Sequence, residues 1–370
     1  MLPRVLPPEV LDLIVDHLHD QPTALEECCL VSKSWVPRAR SHLFAEVEFN
    51  LSRCPIRLWT NAFPDPSNSP AHHTRRLWIY GLETTTASST VLRQFDCIQE
   101  LWVAAPVQDF SAPVSFDQLH GLSPTLKTLH LSDISAPASQ VFNLICSFPL
   151  LEDLWLYFVT IFGGADGWDI PSTSPRLTGS LHLIDWDCSV SRGLLDLPNG
   201  LHFTEITASC RVEDTVSLVD LVSRCSDNLE SLDIAYSSSS SVYFPDPKPF
   251  ALSGATKLSH ARFQCFGLNV RWITATLLTA QSPNLRKITI VVTSRDTPAN
   301  LVGEKIRREW QDLDHLLDYL WTSRSVFPEI TYSGRLVSQG FGELALRLLP
   351  KLASKGAVGR VGGCGQRSEE

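Results

Sequence analysis

Apolar positions follow two different rhythms along this chain. Between residues 6 and 49 they recur at helical spacing, and from Leu77 onward they recur as short alternating triplets set a regular distance apart. In the first stretch Leu11, Ile14, Val15 and Leu18 fall at i, i+3, i+4 and i+7 and make one apolar stripe, the signature of an amphipathic helix. Pro7 and Pro8 suit its opening turn, where a missing N–H costs nothing, and Glu9 and Asp12 sit near the positive end of its dipole. Pro22 ends it. Thr23 followed by Glu26 predicts a capping box for a second helix, whose apolar side is Leu25, Cys28, Cys29 and Val31. Ser34 is the expected N-cap of a third helix, with Pro37 in its opening turn and Leu43 and Phe44 near its end. Three helices in so short a stretch bury only a small core, so such a module is expected to gain stability by docking on something else.

The second rhythm is an L-x-x-L-x-L pattern. It runs through Ile98-Leu101-Val103, Leu126-Leu129-Leu131, Leu151-Leu154-Leu156, Leu229-Leu232-Ile234, Leu258-Ala261-Phe263 and Leu285-Ile288-Ile290. Weaker copies are Leu177-Leu181-Leu183 and Phe203-Ile206-Ala208, and Leu77-Trp78-Ile79 fits one period upstream. The first positions are spaced by 28, 25, 26, 26, 26, 29 and 27 residues, within the roughly 20–29 of leucine-rich repeats. Each copy predicts one short strand whose two flanking apolar residues point inward while the residue between them points to the opposite face. The intervening segments should return as helices or irregular loops, with residues 140–145 and 220–224 helical. Ser123-Pro124 and Ser282-Pro283 mark strand approaches. Ile306, Trp310, Leu313, Leu317 and Leu320 predict a helix over 304–321 that covers the final repeats. The Gly-rich tail from residue 356 to 370 is expected to be disordered, and the serine run from Tyr236 to Ser241 to be a loop. The usual repeat carries Asn or Cys three residues after its last Leu. Here Pro106, Ile134, Val159, Trp186, Ser237 and Thr293 stand there, so the array is degenerate.

The opening Leu6-Pro7-Pro8-Glu9, the Ile14 to Leu18 stripe and Cys29-Leu30-Val31-Ser32-Lys33-Ser34-Trp35 resemble the F-box motif in order and spacing over some 45 residues. That family reads Leu-Pro-x-Glu, an Ile/Leu stripe, a small-residue and basic stretch ending in Trp, then a helix closing on Leu-Phe. Pro8 departs from its usual acidic or small residue without disturbing the helix start. The repeats behind it are similar to the irregular arrays that follow F-boxes in fungal, basidiomycete-type proteins. The resemblance implies that Leu6, Pro7, Ile14, Leu18, Leu30, Val31 and Trp35 bear on the adaptor subunit of a cullin-based (SCF) ubiquitin ligase. Against this stands the plain reading that the same residues form a three-helix core or dock on the rest of the chain.

Composition narrows the function classes. The chain has 370 residues, 44% of them hydrophobic and 19% charged, with a net charge of −9, so the basic footprint of a nucleic-acid binder is absent. Two prolines interrupt the N-terminus before any apolar run forms, and no stretch is long and apolar enough to predict a membrane span. The ten cysteines are scattered without a C-x-x-C pair, which predicts reduced thiols used as small apolar residues and a cytoplasmic or nuclear location.

No phosphate loop, dinucleotide fingerprint, H-E-x-x-H or nucleophile elbow occurs. His72-His73 are adjacent and so share no face, and Asp166, Asp169, Asp185 and Asp187, with Trp168 and Trp186 interleaved, read most simply as surface loops. The middle position of L-x-L carries more. It reads Trp78, Trp102, His130, Trp155 and His182, then Thr207, Asp233, Arg262 and Thr289. Aromatics in a row on one face are the expected anchors of a protein-binding hot spot, the alternative being ordinary loop-covered core.

The sequence therefore predicts an α/β protein: an F-box helical module (1–49), a leucine-rich-repeat-like recognition solenoid (50–335), and a C-terminal helix and disordered tail (336–370). The expected function is a substrate receptor in ubiquitin-dependent degradation, not an enzyme. It would hold an adaptor, and through it a cullin, at the module and an unknown protein substrate at the concave face, without metal, cofactor, nucleic acid or membrane. The alternative is a repeat scaffold without a ligase role.

Overall fold

One hydrogen-bonding arrangement recurs at the start of strand after strand. The Ala45 carbonyl accepts from the N–H groups of Arg75 and Arg76, that of Arg75 from Gln99 and Glu100, that of Gln99 from Lys127 and Thr128, and that of Lys127 from Glu152 and Asp153. The same two-to-one bond joins Gly179 to Thr204 and Glu205, Thr204 to Glu230 and Ser231, Glu230 to Ser259 and His260, and Ser259 to Arg286 and Lys287. Each carbonyl pins the first residues of the next strand and so sets its register.

The computed structural model describes residues 7–50, 55–81, 90–105, 116–120, 122–162, 174–186, 188–211, 215–236, 248–266, 270–294, 303–334 and 341–358. The chain forms two compact units, Met1–Arg176 and Leu177–Glu370.

The first unit begins with helices α1 (Pro8–Asp16), α2 (Pro22–Val31) and α3 (Val36–Leu43), then strand β1 (Glu46–Asn50) and helix α4 (Pro55–Ala62). Strands β2 (Arg76–Tyr80), β3 (Glu100–Ala104), β4 (Thr128–Ser132) and β6 (Asp153–Tyr157) follow β1 in spatial order, every pair parallel. Two shorter strands, β5 (Ser135–Pro137) and β7 (Thr160–Phe162), pair with each other. Helix α5 (Ala138–Cys146) lies against them and buries Val141, Phe142, Leu144 and Ile145. Alternation sends Val47, Phe49, Leu77, Ile79, Leu101, Val103, Leu129, Leu131, Leu154 and Leu156 into the core, all of them buried.

The second unit repeats the scheme. Strands β8 (Ser180–Ile184), β9 (Glu205–Cys210), β10 (Ser231–Tyr236), β11 (His260–Phe266), β12 (Lys287–Ser294) and β13 (Phe327–Gly334) run parallel in chain order. The connections carry α6 (Cys188–Leu195), α7 (Thr215–Cys225), α8 (Arg271–Thr279) and α9 (Glu304–Arg324), and α10 (Phe341–Leu348) and α11 (Pro350–Ser354) follow β13. Parallel neighbours need such crossovers. The protein is α/β with extensive parallel sheet.

What replaces the missing Asn is a left-handed backbone turn. Gly81, Asp133, Phe158 and Asp185 have φ of 74°, 55°, 50° and 45°, and each directly follows a strand. Asp133 N–H then donates to the Tyr157 carbonyl at 2.9 Å and Asp185 N–H to that of Ser209 at 3.0 Å, so the turn of one repeat is tied to the strand of the next. Ile134, Val159 and Trp186, at the former Asn positions, are simply buried. The Ser-Pro signals have a similar role. The Ser123 hydroxyl reaches the carbonyls of Asp96 and Ile98 at 2.9 and 3.0 Å, and Ser282 reaches those of Thr256 and Leu258 at 2.8 Å each.

Three local expectations are corrected. Thr23 is not a cap, because α2 starts at Pro22 after Gln21, without a side-chain cap bond. Trp35, not Ser34, precedes α3; Ser34 instead sits in a turn where its N–H donates to the Ser32 hydroxyl at 3.3 Å. The helix over 304–321 does not close the array. It is the crossover to β13, whose Glu329 pairs with Thr289 forty residues earlier. In α9 the buried Asp314 carboxylate accepts the N–H groups of Lys351 and Leu352, both at 3.1 Å, and so caps α11. Most of the tail expected to be disordered (359–370), and of the serine run (237–241), lies outside the described residues, though Ala357 accepts from Ile330 N–H at 3.0 Å.

Candidate functional site

The N-terminal helices divide their apolar residues between a core and a surface. Val15, Leu25, Cys28 and Ala39 are the core, with Leu18, Cys29, Trp35 and Leu43 partly buried against it. Ile14 is 41% exposed, Leu30 87% and Val31 68%. Pro7 is exposed at the head of α1, and Leu6 lies outside the described residues. Of the seven residues named from the sequence, Ile14, Leu30, Val31 and Pro7 are therefore presented outward, while Leu18 and Trp35 stabilise the module itself. Leu13 and Val10, which the sequence reading passed over, add to the exposed apolar set on α1.

Asp16 ties α1 to α3. Its carboxylate accepts Arg38 Nε and Nη2 at 2.5 and 2.6 Å and lies 2.7 Å from His42 Nε2. The Arg38 hydrogen bonds, followed by that of His42, hold its carboxyl well below the usual carboxylate range. Because the folded value lies below the unfolded one, the stabilisation is fully present above about pH 4 and is lost as pH falls through the folded value. Asp16→Asn should flatten this acid limb when urea midpoints are compared at neutral pH and below about pH 4.

The second candidate is the outward face of the first unit's sheet. Register aligns Glu48 with Trp78, Trp78 with Trp102, Trp102 with His130, and His130 with Trp155. Ring centroids of Trp78 and Trp102 are 6.5 Å apart, those of Trp102 and His130 only 3.6 Å and nearly parallel at 8°, and those of His130 and Trp155 4.9 Å. Tyr157 continues the surface 6.0 Å from Trp155. The two tryptophans enclose His130, which is 3% exposed and so supports the stack from within instead of facing a partner. The indoles of Trp78, Trp102 and Trp155 are half-buried.

No family model matches this chain, and no curated protein matches it.

Acidic side chains border the aromatics. Glu100 Oε1 accepts Trp102 Nε1–H at 2.7 Å and lies 3.2 Å from His130 Nε2. Asp153 Oδ2 accepts the Thr128 hydroxyl at 3.3 Å. Arg76 is ion-paired with Glu46, and its guanidinium carbon stands 5.9 Å above the Trp78 ring. Sequence reasoning found the aromatic row and missed this border. The signal was present as Glu100-Leu101-Trp102 and Asp153-Leu154-Trp155, an acid two residues before Trp and hence on the same face.

The second unit's outward face is polar. His182 sits half-buried in β8, in register with Thr207 of β9. Thr207, Asp233, His260, Arg262, Lys287 and Thr289 line an open recess of ≈ 300 Å³. Its charges are compensated locally: Arg262 Nη1 is 2.6 Å from Asp233 and Lys287 Nζ is 2.8 Å from Glu329.

Among the described residues no cluster of ligating side chains could hold a metal, and no helix is long and apolar enough to cross a membrane. His72 and His73 close a short 3-10 turn, with their rings 3.9 Å apart. Asp185 makes the turn after β8, whereas Asp166, Trp168, Asp169 and Asp187 lie outside the described residues. Burial pushes the Cys146 thiol up to about 11 and those of Cys225 and Cys265 up to about 12, leaving them protonated at neutral pH.

Proposed function

We propose that this chain is a substrate receptor of a cullin-based (SCF) ubiquitin ligase, with residues 1–49 an F-box that holds the adaptor and the parallel repeats a leucine-rich-repeat-like solenoid that holds the target. The observation that carries the reading is the exposure of Ile14, Leu30 and Val31. These are the positions the F-box resemblance assigns to the adaptor, and they stay outside a core built from Val15, Leu25, Cys28 and Ala39. Exposed large aliphatics on so small a module favour a protein interface over a free surface. Receptor action is positional: holding a target beside the conjugating enzyme raises the effective concentration of its lysines. The chain itself supplies no covalent step.

The test is co-expression of the full chain with the adaptor subunit, followed by pull-down. Leu30→Asp with Val31→Asp should abolish capture while leaving the melting temperature of the chain unchanged, because both side chains are already in solvent. Trp35→Ala is the contrasting control: it should lower capture and stability together, since Trp35 lies against the core. A folded wild type that captures no adaptor removes the ligase reading in favour of a repeat scaffold.

A further inference from the structure

Two arginines beside the junction of α3 and β2 stand without a counter-charge, although their immediate neighbours are paired, Arg38 with Asp16 and Arg76 with Glu46. The Arg40 side chain, half-buried on α3, makes no hydrogen bond or ion pair among the described residues. Arg75 is exposed, and its Nη1 donates to the Cys97 carbonyl at 3.0 Å, a neutral acceptor that leaves the charge uncompensated. The 3-10 turn Pro70–His73 packs on α3 and adds two imidazoles, His72 and His73, with ring centroids 3.9 Å apart. These groups meet at His73. Burial first, then the charges of His72, Arg75 and Arg40, hold its imidazole below the ordinary value, and among the described residues no carboxylate acts on it. Glu26, on the neighbouring α2, acts on Cys29 and not on His73. With 40 acidic against 31 basic residues in the chain, this shortage of carboxylates is local. Gathering like charges and partly burying one of them costs free energy that a bound anion would offset.

We infer that Arg40, His72, His73 and Arg75 bind a phosphate monoester where the chain passes from α3 to β2. Two guanidiniums match the charge of one dianion. Their N–H groups, with the ring nitrogens, offer more donors than a single carboxylate can accept, whereas a phosphate monoester presents three strong acceptor oxygens. The planar guanidinium fork engages such oxygens two at a time. The same dianion is carried by a phosphorylated side chain of a bound protein and by a small phosphorylated molecule. The site is independent of the ligase reading, which rests on Ile14, Leu30 and Val31.

The experiment uses the full chain and a fluorescein-labelled Gly/Ser peptide carrying one phosphoserine, with matched peptides holding serine or aspartate in its place. Anisotropy should show salt-sensitive binding of the phosphoserine peptide, none of the serine peptide, and at least tenfold weaker binding of the aspartate peptide. Unlabelled phenyl phosphate should displace the phosphopeptide. Displacement near the phosphopeptide's own Kd supports a small phosphorylated molecule as the ligand, and displacement only tenfold or more above it supports a phosphorylated protein segment. Arg40→Gln with Arg75→Gln should lower phosphopeptide affinity at least tenfold with the urea midpoint unchanged, because neither side chain has an acid partner. Arg192→Gln with Arg224→Gln removes the same charge from the second unit and should leave the affinity as it is. The inference is overturned if wild type binds neither phosphate probe, if phenyl phosphate fails to displace the peptide, if aspartate binds as well as phosphoserine, or if both double variants lose affinity equally.

Discussion

Trp59→Ala should cost the first unit about 3–5 kcal/mol, measured as a lower urea midpoint. The indole is buried in α4 and touches four other aromatic rings, with centroids 5.9 Å away for Phe44, 5.7 Å for Phe49, 4.9 Å for Phe63 and 5.2 Å for Phe95. Phe44 ends the three-helix module and Phe49 is the inward residue of β1, so one side chain joins the helical start to the first strand. The edge-to-face geometry at Phe44 and Phe49 adds to plain area burial. Alanine would leave a cavity that these large rings close only in part. Trp59→Phe separates shape from polarity. The indole N–H is buried with no acceptor among the described residues, so phenylalanine removes no hydrogen bond and should cost roughly 1 kcal/mol. An alanine variant as stable as wild type would show that α4 is not needed to close this end.

How much of this was legible in the sequence follows from which interactions are local. Leu101, Leu129, Leu154, Leu181, Ile206, Leu232 and Ile288 were identified as inward residues by alternation alone, and all are buried. Their period survives because every repeat solves the same problem with the same strand. β1 is not among the expected strands although Glu46-Val47-Glu48-Phe49-Asn50 alternates cleanly; it precedes the array in sequence, and its residues up to Phe49 fall within the stretch assigned to the helical module. β13 was missed because its longer spacing breaks the period and Pro328 stands near its start, where proline is tolerated in a strand.

The left-handed turns were not legible either. Glycine at position 81 hints at one, but Asp133, Phe158 and Asp185 reach positive φ through the fold. For Phe158 in particular no local preference predicts this conformation, whereas the turns at Gly81, Asp133 and Asp185 are each tied by a backbone hydrogen bond to the following strand. The site was half legible for a related reason. Large aromatics at a fixed strand position declare themselves, whereas the burial of His130 depends on how closely two separate tryptophans approach it. The exposed and core residues of the N-terminal helices likewise share one apolar stripe in sequence, and only the crossing of α1, α2 and α3 decides that Val15 turns in while Ile14 turns out.

Trp310→Ala should be the most damaging single change in the second unit, at about 3–5 kcal/mol. Trp310 is fully buried in α9, on the face that also buries Leu313, Leu317 and Leu320. That helix is the connection on which the last strand depends, because β13 pairs with β12 only after the chain has crossed back through α9. It also carries Asp314, whose carboxylate holds the start of α11. A cavity at Trp310 therefore loosens three elements together. Hydrogen exchange should show this directly, with protection lost across α9, β13 and α11 and retained in β9 and β10. Uniform loss across the whole second unit would mean instead that the unit unfolds as one cooperative body, and protection unchanged in β13 would mean that α9 covers the sheet without securing its last strand.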